Sequence, residues 1–188
     1  LGQIGLPGGG FGLGYSAVNT VGNDIKRLPV AALPQGVNPV SNFIPVARIA
    51  DMLLHPGDSF DYNGERYDYP DIKIVYWAGG NPFHHHQNLK RLVKAWQKPD
   101  TVIVHEWCWN AIAKHADIIL PCTTTLERTD IAMSPMDNYF VSMQPAISAV
   151  DDALDDFEIF KGIAAKMGSE EAFTEGRSAE DWQRWMYD

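Results

Sequence analysis

Gly79, Gly80 and Asn81 are the residues whose types and order point most directly to chemistry. They follow an apolar run at residues 74–77 and are followed by Pro82. Because Asn is a preferred helix cap and Pro a preferred first helical residue, this stretch predicts a strand, a glycine turn and a helix. Such a turn offers backbone N–H groups and the positive end of a helix dipole, and phosphate is its usual ligand.

The same turn also has a purely structural interpretation. Two glycines between a strand and a helix can serve only to reverse the chain, and the residue pattern does not distinguish this from a ligand turn. The strict dinucleotide motif GxGxxG is absent here, so a nicotinamide or flavin site has weak support. Residues 10–14, with glycine at alternate positions, come near that motif, but no predicted strand precedes them.

Polar side chains follow two further predicted strands. Glu106 follows the apolar run at residues 101–105, and Thr123 and Thr124 follow the run at residues 117–120. Ligands of open α/β sheets bind outside the carboxyl ends of the strands, so these side chains should share one edge with the glycine turn. A carboxylate at this edge typically accepts hydrogen bonds from ribose hydroxyls or base N–H groups. Considered without the other two strand ends, Glu106 would more often be a solvated surface acid. Together the three strand ends predict a nucleotide-shaped site.

His84, His85 and His86 suggest a metal site, but their spacing does not favour one. Consecutive helical residues point about 100° apart, so three of them cannot converge on one ion. The i, i+4 pair of an HExxH zinc site is missing as well. We therefore expect cofactor contact or packing from this run, and we predict neither a metal ligand nor a catalytic residue in the chain.

An alternation of strands and helices positions these residues. Strands are predicted at residues 72–77, 101–105 and 117–120, and they are joined by helices at about 81–96 and 109–115. Val- and Ile-rich strands joined by helices predict a parallel sheet with right-handed crossovers. The expected fold class is therefore α/β, with a parallel sheet flanked by helices.

The flanking regions have other patterns. Residues 1–24 are rich in glycine and predict a loop. The remaining predictions are a short helix at residues 48–54, a hairpin at 60–67 around an Asn-Gly pair, irregular structure at 123–150, and amphipathic helices at 155–167 and 179–187. We divide the chain into residues 1–69, a glycine-rich loop with connecting segments and the hairpin, and residues 70–188, the α/β domain, and we expect the whole chain to form one structural domain.

Composition narrows the function classes. The 188 residues carry 15 basic and 24 acidic side chains, a net charge of −9, which argues against a nucleic-acid partner. No apolar run reaches the roughly 20 residues that span a bilayer, so no membrane partner is expected. Cys108 and Cys122 lack CxxC spacing and are expected to be two free, buried thiols. The chain begins at Leu1 without Met, and we expect it to be an excerpt of a larger protein.

Residues 76–87, YWAGGNPFHHHQ, resemble the molybdopterin guanine dinucleotide-binding segment of the dimethyl sulfoxide, trimethylamine N-oxide and biotin sulfoxide reductases. The resemblance covers almost the whole chain. Residues 1–12 look like the family's glycine-rich loop, residues 44–53 and 69–72 like its connecting segments, and residues 115–131 like its HADIVLPATTxxERND stretch. Cys122 stands where the family usually has alanine, a small change that suits a packed position.

This resemblance implies a Rossmann-like domain that helps to hold molybdenum bis(molybdopterin guanine dinucleotide). Carried over residue by residue, it implies cofactor contacts from Gly79, Gly80, Asn81, His85, Gln87, Val104 and Glu106. The serine that ligates molybdenum belongs to a part of the family's chain upstream of this excerpt, and no residue here matches that motif.

The implied activity is that of a molybdenum-dependent oxidoreductase, which transfers an oxygen atom from a sulfoxide or an amine N-oxide to reduced molybdenum. The implied partners are the remaining domains of the same enzyme and the small-molecule oxide, and the excerpt alone should be inactive. Two alternatives stay open. One is a stand-alone nucleotide- or metal-binding module that uses Gly79, Gly80 and the run from His84 to His86. The other is an interaction surface that binds no ligand when isolated.

Overall fold

The computed structural model of this chain describes residue 2 and residues 5–8, 32–133 and 139–188. The loop predicted for residues 1–24 lies mostly outside these residues. The first described elements are a 3₁₀ turn at Val46–Arg48, helix α1 at Ile49–Leu54, and strands β1 at Ser59–Tyr62 and β2 at Glu65–Asp68. The two strands pair antiparallel, and Asn63 and Gly64 between them have φ values of 51° and 85°. Positive φ at both positions is the geometry of a two-residue hairpin turn, so the predicted helix and hairpin are confirmed.

A three-stranded parallel sheet forms the centre of the α/β part. Its elements in chain order are β3 (Ile74–Ala78), α2 (Pro82–His85), α3 (Leu89–Trp96), β4 (Thr101–Glu106) and β5 (Ile118–Pro121). The strand order is β3-β4-β5, and both neighbouring pairs run parallel. Ala78 pairs with His105, and Glu106 pairs with Pro121, so all three carboxyl ends lie at one edge. The predicted parallel arrangement is confirmed.

The hydrophobic core lies between this sheet and helices α1 and α3. Leu92, Ala95 and Trp96 of α3 are buried, while Lys90 and Lys94 on the same helix are exposed. This i, i+3, i+4 spacing gives α3 one apolar stripe, which packs against the sheet. The opposing residues are Leu53 from α1 with Val102 and Val104 from β4. The core therefore holds β4 rigidly up to the edge where the predicted site lies.

The single helix predicted at residues 81–96 is wrong, because the chain breaks between α2 and α3. His86 is extended, with φ −86° and ψ 146°, and Asn88 is left-handed, with φ 53°. The Asn88 side chain then accepts from the backbone N–H of Arg91 at 3.3 Å, which caps a new helix. Helix α2 keeps only four residues. The dipole at its start is therefore weaker than the sequence suggests.

Residues 123–150, predicted to be irregular, contain a further strand pair. Strand β6 (Asp130–Met133) pairs antiparallel with β7 (Phe140–Met143). Each strand has only four residues, which is too short for alternation to stand out in sequence. The helix predicted around residues 109–115 is reduced to a 3₁₀ turn at Ala113–His115.

Three helices complete the described chain: α4 (Asp156–Lys166), α5 (Glu170–Thr174) and α6 (Ala179–Tyr187). The first and last agree with the predicted helices at residues 155–167 and 179–187, and the short α5 was not predicted. Helix α6 begins with a capping box, because Ser178 and Asp181 each accept from the other's backbone N–H. Among the described helices, none combines the length and apolarity that a bilayer span requires.

Helix α4 contacts the sheet face opposite α1 and α3. The buried imidazole of His105 lies 2.6 Å from the Tyr76 hydroxyl through Nε2 and 2.6 Å from the Asp156 carboxylate through Nδ1. The Phe160 ring lies 5.0 Å from the imidazole, centroid to centroid. Beside this contact, Cys122 forms a parallel bridge with Leu154, just before the helix begins. The C-terminal helices are thus joined to the sheet through polar and ring contacts.

Candidate functional site

The edge formed by the ends of β3, β4 and β5 carries the candidate site. It begins with Gly79 and Gly80, whose φ values are 83° and 73°. These left-handed values favour glycine, because a Cβ is strained there. Apart from the glycine itself and its two chain neighbours, no atom of the described chain lies within 4 Å of the position that a Cβ would take on either residue. The turn therefore faces open space, and a ligand can approach its backbone closely.

Asn81 follows the turn and supplies a buried polar group. The residue is 8% exposed, and its Oδ1 accepts from the backbone N–H of Phe83 at 3.0 Å. Its Nδ2 is buried and has no hydrogen-bond partner within the part of the chain that the structure describes. An unpaired buried amide costs about 1–3 kcal/mol, so this donor needs an acceptor from elsewhere. A ligand oxygen beside the glycine turn meets that need.

Glu106 ends β4 at the same edge and is also 8% exposed. Its Oε2 accepts from the Asn110 side chain at 2.7 Å. No group in the described ranges donates to its other carboxylate oxygen. Sequence reasoning missed Asn110, although a position four residues after a candidate acid is where a supporting amide can lie. Asn110 holds the carboxylate in place and leaves one oxygen for a ligand.

A cavity of about 900 Å³ adjoins Glu106. Trp107 and Trp109 line it, together with Cys122 and Thr124 after β5. The two tryptophans are 66% and 74% exposed, so flat aromatic surface lies beside a carboxylate. Planar bases stack on such rings, and carboxylates accept from base N–H groups. The glycine turn does not line this cavity, so the edge carries two neighbouring features rather than one pocket.

The other predicted site residues lie in different surroundings. His85 and Gln87 are exposed just beyond the turn, where a bound molecule can reach them. Val104 is fully buried and pairs with Trp77 and Ile119 on the neighbouring strands. Its side chain belongs to the core and supports the edge from below. In the described ranges, no three His, Cys, Asp or Glu side chains are placed to hold a metal ion.

The two cysteines are free, as predicted, but the prediction that both are buried is wrong, because Cys108 is exposed and Cys122 is only partly buried. Burial, followed by the negative charges of Asp156 and Glu106, raises the pKa of the Cys122 thiol to about 11. The thiol therefore stays protonated near neutral pH and is a poor nucleophile. Cys122 is a small, partly buried residue of the cavity lining.

Glu127 shapes the chain after β5. It accepts from both the backbone N–H and the hydroxyl of Thr124 at 2.7 Å, and from the Val150 N–H at 2.9 Å. These hydrogen bonds lower the pKa of the Glu127 carboxyl below its ordinary value. The backbone N–H of Thr124 contributes most, followed by the Thr124 hydroxyl and the Val150 N–H. One charged side chain thus joins the start and the end of the loop around the cavity.

We expect Glu127→Gln to lower the melting temperature near neutral pH. The carboxyl has a lower pKa in the folded than in the unfolded state, so its charge stabilises the fold above the unfolded-state pKa, and this stabilisation is lost as pH falls through the folded-state pKa. The difference from the parent should shrink as pH falls from the ordinary glutamate pKa through the depressed folded-state pKa, below which both proteins carry a neutral group. Thermal unfolding followed by circular dichroism across this range measures it. Glu158→Gln, which removes a surface ion pair with Lys161, is the matched control. A Glu127→Gln difference that is independent of pH would contradict the assignment.

The fold is that of an α/β domain whose parallel strands end at an open glycine turn, a buried amide without a partner in the described chain and a carboxylate, the kind of edge at which α/β domains bind ligands. Residues 1–166 match the family model for molybdopterin oxidoreductases, and the chain belongs to that family.

Curated relatives agree with this assignment. The chain is 47% identical over 188 residues to biotin sulfoxide reductase of Cereibacter sphaeroides and 46% identical over 203 residues to trimethylamine-N-oxide reductase of Haemophilus influenzae. It is 42% identical over 200 residues to dimethyl sulfoxide/trimethylamine N-oxide reductase of Rhodobacter capsulatus. Each match covers 100% of this chain and 24–25% of the relative, so the chain spans about a quarter of the length of these enzymes.

Acetylene hydratase from Pelobacter acetylenicus is similar in structure, with a TM-score of 0.50 and 22% identity over 55% of this chain and 14% of that one. At this identity the likeness concerns the fold alone. The family implies a molybdenum–molybdopterin cofactor, and the unpaired Asn81 amide with the open turn at Gly79 and Gly80 fits the phosphate of such a group.

Proposed function

We propose that this chain is the part of a molybdenum S- or N-oxide reductase that binds molybdopterin guanine dinucleotide. One observation carries the proposal: the buried Nδ2 of Asn81 lacks a partner in the described chain, beside two glycines that face open space. A donor and a close backbone approach are what a diphosphate requires. The relatives' names support the choice of sulfoxide and N-oxide reductases over other enzymes of the family.

The proposed contacts divide by their chemistry. The backbone at Gly79 and Gly80 and the Asn81 side chain take phosphate oxygens, and His85 and Gln87 provide exposed donors beyond the turn. Glu106 accepts from the guanine edge or a ribose hydroxyl with the carboxylate oxygen that Asn110 leaves free. The neighbouring indoles give a planar base a surface to stack on.

In this proposal Val104 supports the site indirectly, through its position in the core. Its buried side chain packs in the core between the sheet and helices α1 and α3, and this packing keeps the Glu106 end of β4 in position. The complete enzyme is proposed to hold two guanine dinucleotides per molybdenum, and this chain supplies part of their binding surface. The other domains of the same enzyme supply the rest.

When bound, the molybdenum cofactor supplies two-electron chemistry, in which a sulfoxide or amine N-oxide becomes a sulfide or amine and, with two protons, water is formed. The residues of this chain bind and orient the nucleotide end of that group. No residue of this chain is proposed to be catalytic, so the isolated 188 residues should not reduce an oxide.

The test is the nucleotide content of the complete protein that carries this chain. Acid-treated protein should release GMP and a fluorescent oxidised pterin, with two GMP per molybdenum if the bis form is right. Release of pterin without GMP would overturn the dinucleotide proposal. Stoichiometric zinc without nucleotide would support the metal-binding module instead.

A further inference from the structure

The carbonyl group of Gly80 is tied to the strand that precedes the turn. The indole Nε1 of Trp77 donates to it at 3.2 Å. Among the described residues, this is the one side-chain hydrogen bond to either glycine of the turn. Apart from the glycines and their chain neighbours, no described atom lies within 4 Å of the missing Cβ positions, so no packing at these positions restrains the turn. Its shape therefore depends on the indole.

The Trp77 ring is itself held by the core. Trp77 pairs with Val104 through the backbone of β3, and its ring meets the Trp96 ring edge-on at 5.6 Å. Trp96 is 3% exposed and contacts the Phe83 ring at 5.6 Å in the same manner. The Phe83 ring in turn stacks on His115 at 4.4 Å. This row of rings gives the Trp77 N–H a fixed direction.

Fixing one carbonyl also fixes a donor. A trans peptide is planar, and its C=O and N–H point to opposite sides. Because the Gly80 carbonyl points toward Trp77, the Asn81 N–H of the same peptide points away from the indole. That N–H has no acceptor in the described part of the chain. The indole thus determines the side on which the Asn81 backbone presents its free donor.

We propose that Trp77 is a positioning residue for the cofactor turn: its indole N–H orients the Gly80–Asn81 peptide so that the Asn81 N–H meets an anionic ligand. The inference rests on the proposed function, since the ligand is the diphosphate of the guanine dinucleotide. It also assigns the N–H, and not only the ring, as the part of Trp77 that matters. A phenyl ring at this position would keep an aromatic contact with Trp96 but would have no N–H to donate.

The chain offers a matched control for this distinction. The Nε1 of Trp96 is buried and has no hydrogen-bond partner among the described residues. Trp77→Phe and Trp96→Phe therefore make the same chemical change in the same cluster of rings, since each removes an indole N–H and replaces a bicyclic ring by a phenyl ring. One deletion removes the bond to Gly80, and the other removes no bond.

Both variants are made in the complete protein and expressed with limiting molybdate, and GMP released per chain is measured. We expect Trp77→Phe to lower loading about threefold to tenfold, which is the effect of losing one hydrogen bond that orients a binding group. Trp96→Phe should stay within about twofold of the parent. Unchanged loading in Trp77→Phe, or an equal loss in both variants with an equal fall in melting temperature, would overturn the proposal.

A second measurement needs no cofactor. Hydrogen exchange of a peptide covering residues 76–83, in protein prepared without molybdenum, should be faster in Trp77→Phe than in Trp96→Phe and the parent. Equal exchange in the three proteins would refute the positioning role. If the parent releases no GMP while this contrast holds, the turn is positioned by Trp77 but the proposed cofactor is wrong.

Discussion

Gly79→Val should abolish cofactor loading of the complete protein. The residue has a φ of +83°, where a β-branched side chain is strained by about 1–3 kcal/mol. The new side chain would also occupy the open space through which a phosphate reaches the backbone. Both effects act on the turn that the proposal assigns to the diphosphate. GMP released per chain is the measurement.

Gly57→Val is the matched control for this substitution. Gly57 has a φ of +86° and also has nothing within 4 Å of its missing Cβ, but it lies before the hairpin and away from the sheet edge. It should cost similar stability and leave loading intact. His84→Gln tests the histidine run and should also load normally. Normal cofactor loading of Gly79→Val would refute the proposal that the glycine turn binds the diphosphate. Loss of loading in His84→Gln alone would favour a metal-binding module.

Glu106→Ala should lower cofactor content at least tenfold. A hydrogen bond to a charged acceptor contributes about 1.5–3 kcal/mol, which corresponds to a factor of ten or more in affinity. Molybdenum and GMP per chain are measured in the complete protein, beside its melting temperature. The fall in molybdenum and GMP per chain should be larger than the fall in the folded fraction of the protein.

Two variants separate the roles of this carboxylate. Glu106→Gln keeps an oxygen for the Asn110 side chain but removes the charge, so it should retain the fold and still lose cofactor. Glu158→Ala removes a half-exposed acid on α4 and should leave loading unchanged. Unchanged molybdenum and GMP in Glu106→Ala would show that Glu106 is only a surface acid.

The parallel sheet was predictable because its causes are local and repeated. Runs rich in Val and Ile, separated by helix-length segments, admit few arrangements, and the strand order follows from short right-handed connections. The polar residues after each run were therefore placed at one edge from sequence alone. Asn63 and Gly64 predicted the hairpin for a similar reason, since few residues other than this pair adopt two positive φ values cheaply.

The parts that escaped prediction depend on single conformations or on distant contacts. The apolar spacing around Leu89 and Leu92 continues the pattern of a longer helix, and only the left-handed Asn88 reveals the break. The bond from Trp77 to Gly80 exists only once the turn has its shape, so no spacing rule indicates it. From sequence alone, Val104 is compatible with either a core position or a ligand contact. The complete burial of its side chain favours the core position.

The contacts of His105 have a directional consequence. A neutral imidazole can serve both neighbours in one tautomer only, with the Nδ1 proton donated to Asp156 and Nε2 accepting from the Tyr76 hydroxyl. Donation then runs one way, from the phenol on the edge strand through the central strand to the carboxylate that begins α4. Each bond in such a row polarises the next. The edge strand and helix α4 are therefore coupled electrostatically. Burial, followed by the negative charge of Asp156, raises the pKa of the Tyr76 hydroxyl.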